Sequence, residues 1–268
     1  MFNKYFDELS QNGKQLITDG YFIVDIEQPS KLELIKQSFI DYLIREHNIK
    51  ISIEDLHLLH KDLPLKILND IRYGFFQYIN QLTANFAFEY LQLVSEAMFD
   101  VVGTELAANR TVNFSIQLPG DESSLLPIHS DAFSGESPFQ INLWVPLVDV
   151  CGTNSMFIFN PEFSREICRD IRRFEEQGID HLVDDYPNEF QYLELLYGQA
   201  LIFTPTCLHG NVINSTEHSR ISFNCRYKNL YSPYNEFEEN EKKLGSFYQP
   251  ITPKAATIIG LNFEFDKE

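Results

Sequence analysis

The stretch SRISFNCRYK, residues 219–228, alternates strictly between two kinds of side chain. Arg220, Ser222, Asn224 and Arg226 fall on one side of an extended chain, and Ile221, Phe223, Cys225 and Tyr227 on the other. Successive side chains of a β-strand point to opposite faces, so the pattern predicts a strand with one apolar and one polar face. The same period appears in TVNFSIQ, residues 111–117, where Val112, Phe114 and Ile116 oppose Asn113, Ser115 and Gln117. Further strands are expected at about 139–147, 155–159, 199–204 and 210–214. One helix near 163–177, ending at Gly178, interrupts them.

Upstream the period is that of a helix. Ser30 and Glu33 have the spacing of a capping box, and Leu32, Ile35, Phe39 and Leu43 follow on one helical face. Pro64 suits a first helical turn, before Leu68, Ile71, Phe75, Ile79 and Leu82. A third helix is expected at about 87–102, and Gly20–Asp25 reads as a short strand. Helices first and short strands afterwards imply an α+β fold: a jelly roll, the double-stranded β-helix of cupin-like proteins, with an N-terminal helical part packed on the sandwich. The expected organisation is a single domain over 1–268. Residues 1–110 are mainly helical support, 111–228 the jelly-roll core with an insertion at 160–198, and 229–268 a C-terminal extension.

The composition is 44 % hydrophobic with 23 Phe and 13 Tyr, enough for a large packed core. A net charge of -18 argues against nucleic acid or an anionic membrane as partner, because phosphates would be repelled over most of the surface. No apolar run approaches the ~20 residues of a bilayer span. The start, MFNKYFDELSQNGKQ, lacks a basic segment followed by an apolar one, so no signal peptide is expected. The cysteines at 151, 168, 207 and 225 form no CxxC pair and read as reduced thiols of a cytoplasmic protein. A small molecule is the expected partner, and the oligomeric state is left open.

Chemistry enters in LPIHSDAFSGESPFQINLWVPLVD, residues 126–149. His129 and Asp131, two apart on an extended segment, can both reach one metal ion. Two imidazoles and one carboxylate on one face of an octahedron leave three positions open, the arrangement of non-haem iron oxygenases. His209, in the turn TPTCLHGNV between two expected strands, is the candidate third ligand. Arg220 then presents a guanidinium fork suited to a carboxylate, with the Ser222 hydroxyl beside it. Arg220 and Arg226 on one inward strand face point to an anion held there.

His-x-Asp, a distal His and a following Arg-x-Ser make the chain similar to the Fe(II)/2-oxoglutarate-dependent oxygenases. It most resembles the phytanoyl-CoA-hydroxylase-like branch, and within it the oxygenases found with carbohydrate-biosynthesis genes. The likeness is close over residues 110–228 and general over the N-terminal helices. It implies that His129, Asp131 and His209 ligate Fe(II) and that Arg220, assisted by Ser222, pairs with the distal carboxylate of 2-oxoglutarate. Gln117, Asn142 and Thr153 are further candidates for contact with that cosubstrate. It also implies use of O2, with release of succinate and CO2 and hydroxylation of a small polar or carbohydrate-linked substrate. An aspartate at 131 fits hydroxylation, since halogenases leave that ligand position to chloride. Where the branch often has Asn-Gly after its central strands, this chain has Gly152-Thr-Asn-Ser.

Two other readings compete: a metal-dependent cupin-like isomerase or lyase without 2-oxoglutarate, and a non-catalytic jelly-roll module that binds sugar. Arg220-x-Ser222 speaks against the first and the full ligand set against the second. His57 and His60 lack a carboxylate or Cys partner at metal spacing and read as structural, and His218 as turned away from the site. Trp144 can line a substrate pocket or simply pack. The acidic run Glu236–Glu241 reads as solvated, and the 160–198 insertion as a possible lid over the barrel mouth.

Overall fold

The strand over 219–228 is the spine of the protein. The computed structural model describes residues 3–170, 178–234 and 242–265. Its strands, in chain order, are β1 Tyr21–Asp25, β2 Leu106–Asn109, β3 Asn113–Gln117, β4 Gln140–Pro146, β5 Phe157–Phe159, β6 Phe190–Tyr192, β7 Gln199–Phe203, β8 His209–Gly210, β9 Arg220–Asn229 and β10 Tyr248–Pro250. One antiparallel sheet has the order β1-β7-β4-β9-β2-β10, with β3 also on β9; a smaller one has the order β6-β5-β8. Ten residues long, β9 pairs with β4 on one side and with β3, then β2, on the other. The result is a jelly roll with helices outside.

The apolar side of β9 explains where the helices go. Phe114 and Phe223 are register partners on β3 and β9, and their rings lie 5.1 Å apart. Phe39 of the Pro29–His47 helix and Phe75 of the Leu68–Leu82 helix stack on them, at 5.0 Å and 4.7 Å from Phe114. Each fully buried Phe of this kind contributes about 1.5–3 kcal/mol relative to exposure. The helical layer thus covers the outer face and leaves the polar side of β9 facing into the sandwich.

Several expectations need correction. The Ser30–Glu33 capping box does not form: the helix starts at Pro29, so Ser30 is already inside it, and the preceding Gln28 makes no side-chain cap. At the other end Asn48 closes it in the left-handed conformation, with φ 55°. The single helix over 87–102 is two, Phe86–Leu91 and Ser95–Val102, with buried Leu93 and Val94 between them. The strand over 210–214 shrinks to His209–Gly210. The helix near 163–177 begins at Pro161, where Asn160 accepts from the Phe163 N–H, and runs to Arg169; 171–177 lie outside the described residues, as does Glu236–Glu241. The short strand expected at Gly20–Asp25 is β1; the first 110 residues also contain β2, and the C-terminal stretch contributes β10 to the large sheet.

The insertion after β5 packs on the outer face of the small sheet. Phe163, Ile167 and Leu182 join Phe157, Phe159, Leu208 and Ile128 in a second apolar cluster there. That cluster backs the segment carrying His129.

Candidate metal centre

Two histidines face each other because their backbones pair. His129 donates its N–H to the His209 carbonyl at 3.0 Å, and His209 donates back at 2.9 Å. Residues exchanging both bonds in an antiparallel pair carry their side chains on the same face. The rings accordingly lie 4.3 Å apart. Asp131, two residues beyond His129, returns to that face. One donor atom from each of His129, Asp131 and His209 lies within 4.8 Å of the others, the only such three-ligand group among the described residues.

Hydrogen bonds fix which imidazole nitrogen faces the cluster. His129 Nδ1 lies 2.8 Å from the Pro127 carbonyl and His209 Nδ1 lies 3.0 Å from that of Cys207. A carbonyl only accepts, so each Nδ1 carries a proton, and in the neutral ring it is Nε2 that offers its lone pair to a metal. Burial, with the nearby His129, pushes His209 down to about 4, so it is neutral at physiological pH. Burial also opposes the charged form of His129, but hydrogen bonds to Asp131 and to the Pro127 carbonyl outweigh it and raise its pKa.

Asp131 is 2 % exposed and every side of it is engaged. Asn142 Nδ2 donates to Oδ2 at 2.6 Å and Arg226 Nη2 to Oδ1 at 2.9 Å. Burial alone would raise its pKa, yet the His129 contact, the His209 ring and Arg226 hold the carboxyl well below the usual carboxylate range. Arg226 Nε in turn pairs with Glu136 Oε2 at 2.5 Å. Glu136 also takes Gln140 Nε2 at 2.5 Å and Lys242 Nζ at 3.2 Å, and the Tyr248 hydroxyl donates to Gln140. Two imidazoles and a carboxylate fit Fe(II) as a donor set, and its charged surroundings are compensated.

Beside the three ligands is a cavity of about 410 Å³. Arg220, Ser222, Asn224 and Arg226 of β9 line it, with Asn113 and Ser115 of the neighbouring strand β3 beside them and Trp144, Met156 and Phe203 as apolar wall. Arg220 is 6 % exposed, and its Nε, like Ser222 Oγ and Asn224 Oδ1, has no hydrogen-bond partner among the described residues. A buried cation without a counter-charge is costly. Burial and the nearby Arg72 push its pKa down to about 10. Arg72 is itself committed to Asp121, at 2.6 Å.

The structure brings His129, Asp131 and His209 together, and Arg220 and Ser222 into the adjoining cavity. It does not bring the other three candidates to the cavity lining. Gln117 shares the Arg220 face but is fully buried and donates to the Val212 carbonyl at 2.6 Å. Asn142 is taken up by Asp131. Thr153, in the 3-10 turn Gly152–Asn154, bonds the Ser215 hydroxyl at 2.8 Å. The expected anion at Arg226 is the protein's own Asp131 and Glu136. Sequence reasoning missed Glu136, which sits in a loop with no period to read, and Asn113, Ser115 and Asn224, which the alternation of β3 and β9 could have supplied. Trp144 both lines the cavity and packs in the core. Away from the centre, His60 Nδ1 meets Ser219 Oγ at 3.0 Å, and His57 and His218 contact each other edge to face at 4.9 Å.

No family model matches the chain. Over 124 residues it is 28 % identical to the streptomycin biosynthesis protein StrG of Streptomyces griseus; the match spans 46 % of this chain and 45 % of that protein, less than half its length. Among solved structures, the nickel complex of the non-haem monooxygenase ThoJ aligns over 92 % of this chain and 86 % of its own, at 17 % identity and a TM-score of 0.56. EctD from S. alaskensis with bound iron aligns over 84 % and 78 %, at 12 % identity and 0.54. HygX from Streptomyces hygroscopicus, with nickel and 2-oxoglutarate bound, aligns over 83 % and 88 %, at 15 % identity and 0.53. These likenesses establish the fold as the jelly roll seen in those non-haem metal proteins.

Proposed function

We propose that the protein is an Fe(II)- and 2-oxoglutarate-dependent dioxygenase, one oxygenase unit over its 268 residues, that hydroxylates a small polar or carbohydrate-linked substrate. One observation carries the reading: the two histidines of a two-His, one-carboxylate donor set line the same cavity as a buried arginine that has no carboxylate partner among the described residues. A metal-dependent isomerase would have use for the donor set but none for Arg220. The carbohydrate assignment rests on the partial likeness to StrG, a streptomycin biosynthesis protein.

In this reading His129 Nε2, His209 Nε2 and Asp131 would hold the iron, and Arg220 and Ser222 the distal carboxylate of 2-oxoglutarate. When bound, iron and cosubstrate supply an oxidant from O2 as 2-oxoglutarate goes to succinate and CO2. The chain's own part is orientation and exclusion of water. The Pro127 and Cys207 carbonyls hold the imidazole tautomers. The Arg220 fork fixes the cosubstrate's far end, and Trp144, Met156 and Phe203 keep the cavity apolar on one side, which strengthens each charge contact inside it. A cytoplasmic setting is supported by four unpaired thiols. Among the described residues no helix is long and apolar enough to cross a membrane.

Anaerobic addition of Fe(II) and 2-oxoglutarate should produce a weak visible metal-to-ligand charge-transfer band. Its absence in protein shown to bind iron would overturn the proposal. Succinate release across a panel of sugars, nucleotide sugars and amino acids then identifies the substrate class.

A further inference from the structure

We infer that Asn142 and Arg226 are positioning residues that make Asp131 a one-oxygen metal ligand. The inference rests on the metal-site reading above and adds to it how the carboxylate is aimed. Asp131 comes from a loop, which by itself would let the carboxylate rotate about its last bond. Its Oδ2 is occupied by Asn142 Nδ2 at 2.6 Å. Its Oδ1 is the oxygen that faces the histidines, 3.6 Å from His129 Nε2, and Arg226 approaches that atom from the other side at 2.9 Å.

Both donors stand on the large sheet. Asn142 and Arg226 are register partners on β4 and β9, so they reach the carboxylate from one row of the inner face. Asn142 is fully buried and off the cavity lining, so its amide is committed to Asp131 and not to a ligand. Arg226 is held from behind by Glu136 at 2.5 Å, and Glu136 by Gln140 at 2.5 Å. The loop is pinned as well: Ser130 Oγ and the Ala132 N–H both donate to the Pro205 carbonyl, at 2.8 Å and 3.1 Å.

The consequence concerns the number of open positions. A carboxylate that binds through both oxygens takes two places of six, and with two imidazoles leaves two. Bound through Oδ1 alone it leaves three, the number that a chelating 2-oxo acid and O2 require. With Oδ1 facing the histidines and Oδ2 turned to Asn142, the carboxylate is aimed for one-oxygen binding before any metal arrives.

The test uses Ni(II), which binds without redox chemistry, and the variants Asn142→Leu and Arg226→Lys. Leucine removes the donor to Oδ2; lysine keeps the charge but cannot span Asp131 and Glu136 as a guanidinium does. Each variant that gives a cooperative thermal melt is titrated with Ni(II), then with 2-oxoglutarate at saturating Ni(II). We expect the Ni(II) ligand-field bands to shift before cosubstrate is added, Ni(II) affinity to fall by roughly 10–100-fold, the usual effect of losing an outer-shell partner, and 2-oxoglutarate affinity at saturating Ni(II) to fall as well. Wild-type bands and wild-type affinity in either folded variant overturn the inference, and if Asn142→Leu fails to fold, Arg226→Lys decides. His209→Ala is the separate control. If it binds Ni(II) as the wild type does, the metal-site reading falls, whatever the other two variants show.

Discussion

Replacing Arg220 by leucine should move stability and cosubstrate binding in opposite directions. Arg220 is 6 % exposed and has no carboxylate partner among the described residues. Removing an uncompensated buried charge is therefore expected to leave the metal-loaded protein as stable as before, or up to about 2 kcal/mol more stable. Binding should suffer. Losing one partner of a buried, hydrogen-bonded charge pair costs about 3–5 kcal/mol, and at 1.4 kcal/mol per tenfold this is roughly two to three and a half orders of magnitude in Kd. Thermal melts read both effects. With Mn(II) present and 2-oxoglutarate at about 100 times its wild-type Kd, the wild type gains about 2.7 kcal/mol. For a chain of this size that is roughly a 5–10 °C rise in Tm. Arg220→Leu, whose Kd is then at or above the ligand concentration, gains about 0.4 kcal/mol or less, or ~1 °C. A variant that is destabilised without ligand yet keeps the full ligand-induced rise would refute the assignment, and would make Arg220 a structural residue.

Other outcomes follow from the same geometry. Metal binding should release about one proton near pH 6, read by calorimetry in buffers of different ionisation enthalpy, since only His129 has a raised pKa while His209, at about 4, and Asp131 are already deprotonated. Metal affinity accordingly falls as pH drops through the His129 pKa, and release of two protons there would contradict a neutral His209. Asp121 has a depressed pKa: burial opposes it, but bonds from Ser123, Ser124 and Arg72 prevail. Its contribution is present above the ordinary carboxylate pKa and is lost as pH falls through the lower folded value. Wild-type and Asp121→Asn melts should therefore differ near pH 7 and converge toward pH 3. Gly20, with φ +82°, has space for no side chain, a Cβ there lying 2.5 Å from Cys207 Sγ. Gly20→Ala should cost about 1–3 kcal/mol in denaturant unfolding and disturb the turn that carries His209.

The strands that carry the site were legible because alternation is a local property. Arg220, Ser222 and Asn224 share a face whatever else the chain does. The spacing of His129 and Asp131 and the turn at His209 were legible for the same reason. The capping box at Ser30 failed because Pro29 could begin the helix one residue earlier, which placed the serine inside it. The strands β2 and β10, four and three residues long, hold together through pairing across distant sequence and leave no period to read.

Three of the notable side chains show where local reading ends. Asn142 and Arg226 looked like ligands for a cosubstrate or an anion, since each is a polar group on an inward strand face. What each of them touches depends on register between β4 and β9 and on where the loop from 130 to 139 crosses them. That crossing gives both to Asp131 and brings in Glu136, a residue with no signal of its own. By itself, then, the sequence determined which residues could act and on which face of their own strand they lie, because covalent geometry fixes the period of a strand. Only the tertiary structure decided which of those faces meet. That choice left Arg220 buried with no counter-charge among the described residues and gave Arg226 two, and it depends on long-range pairing that no window of neighbouring residues encodes.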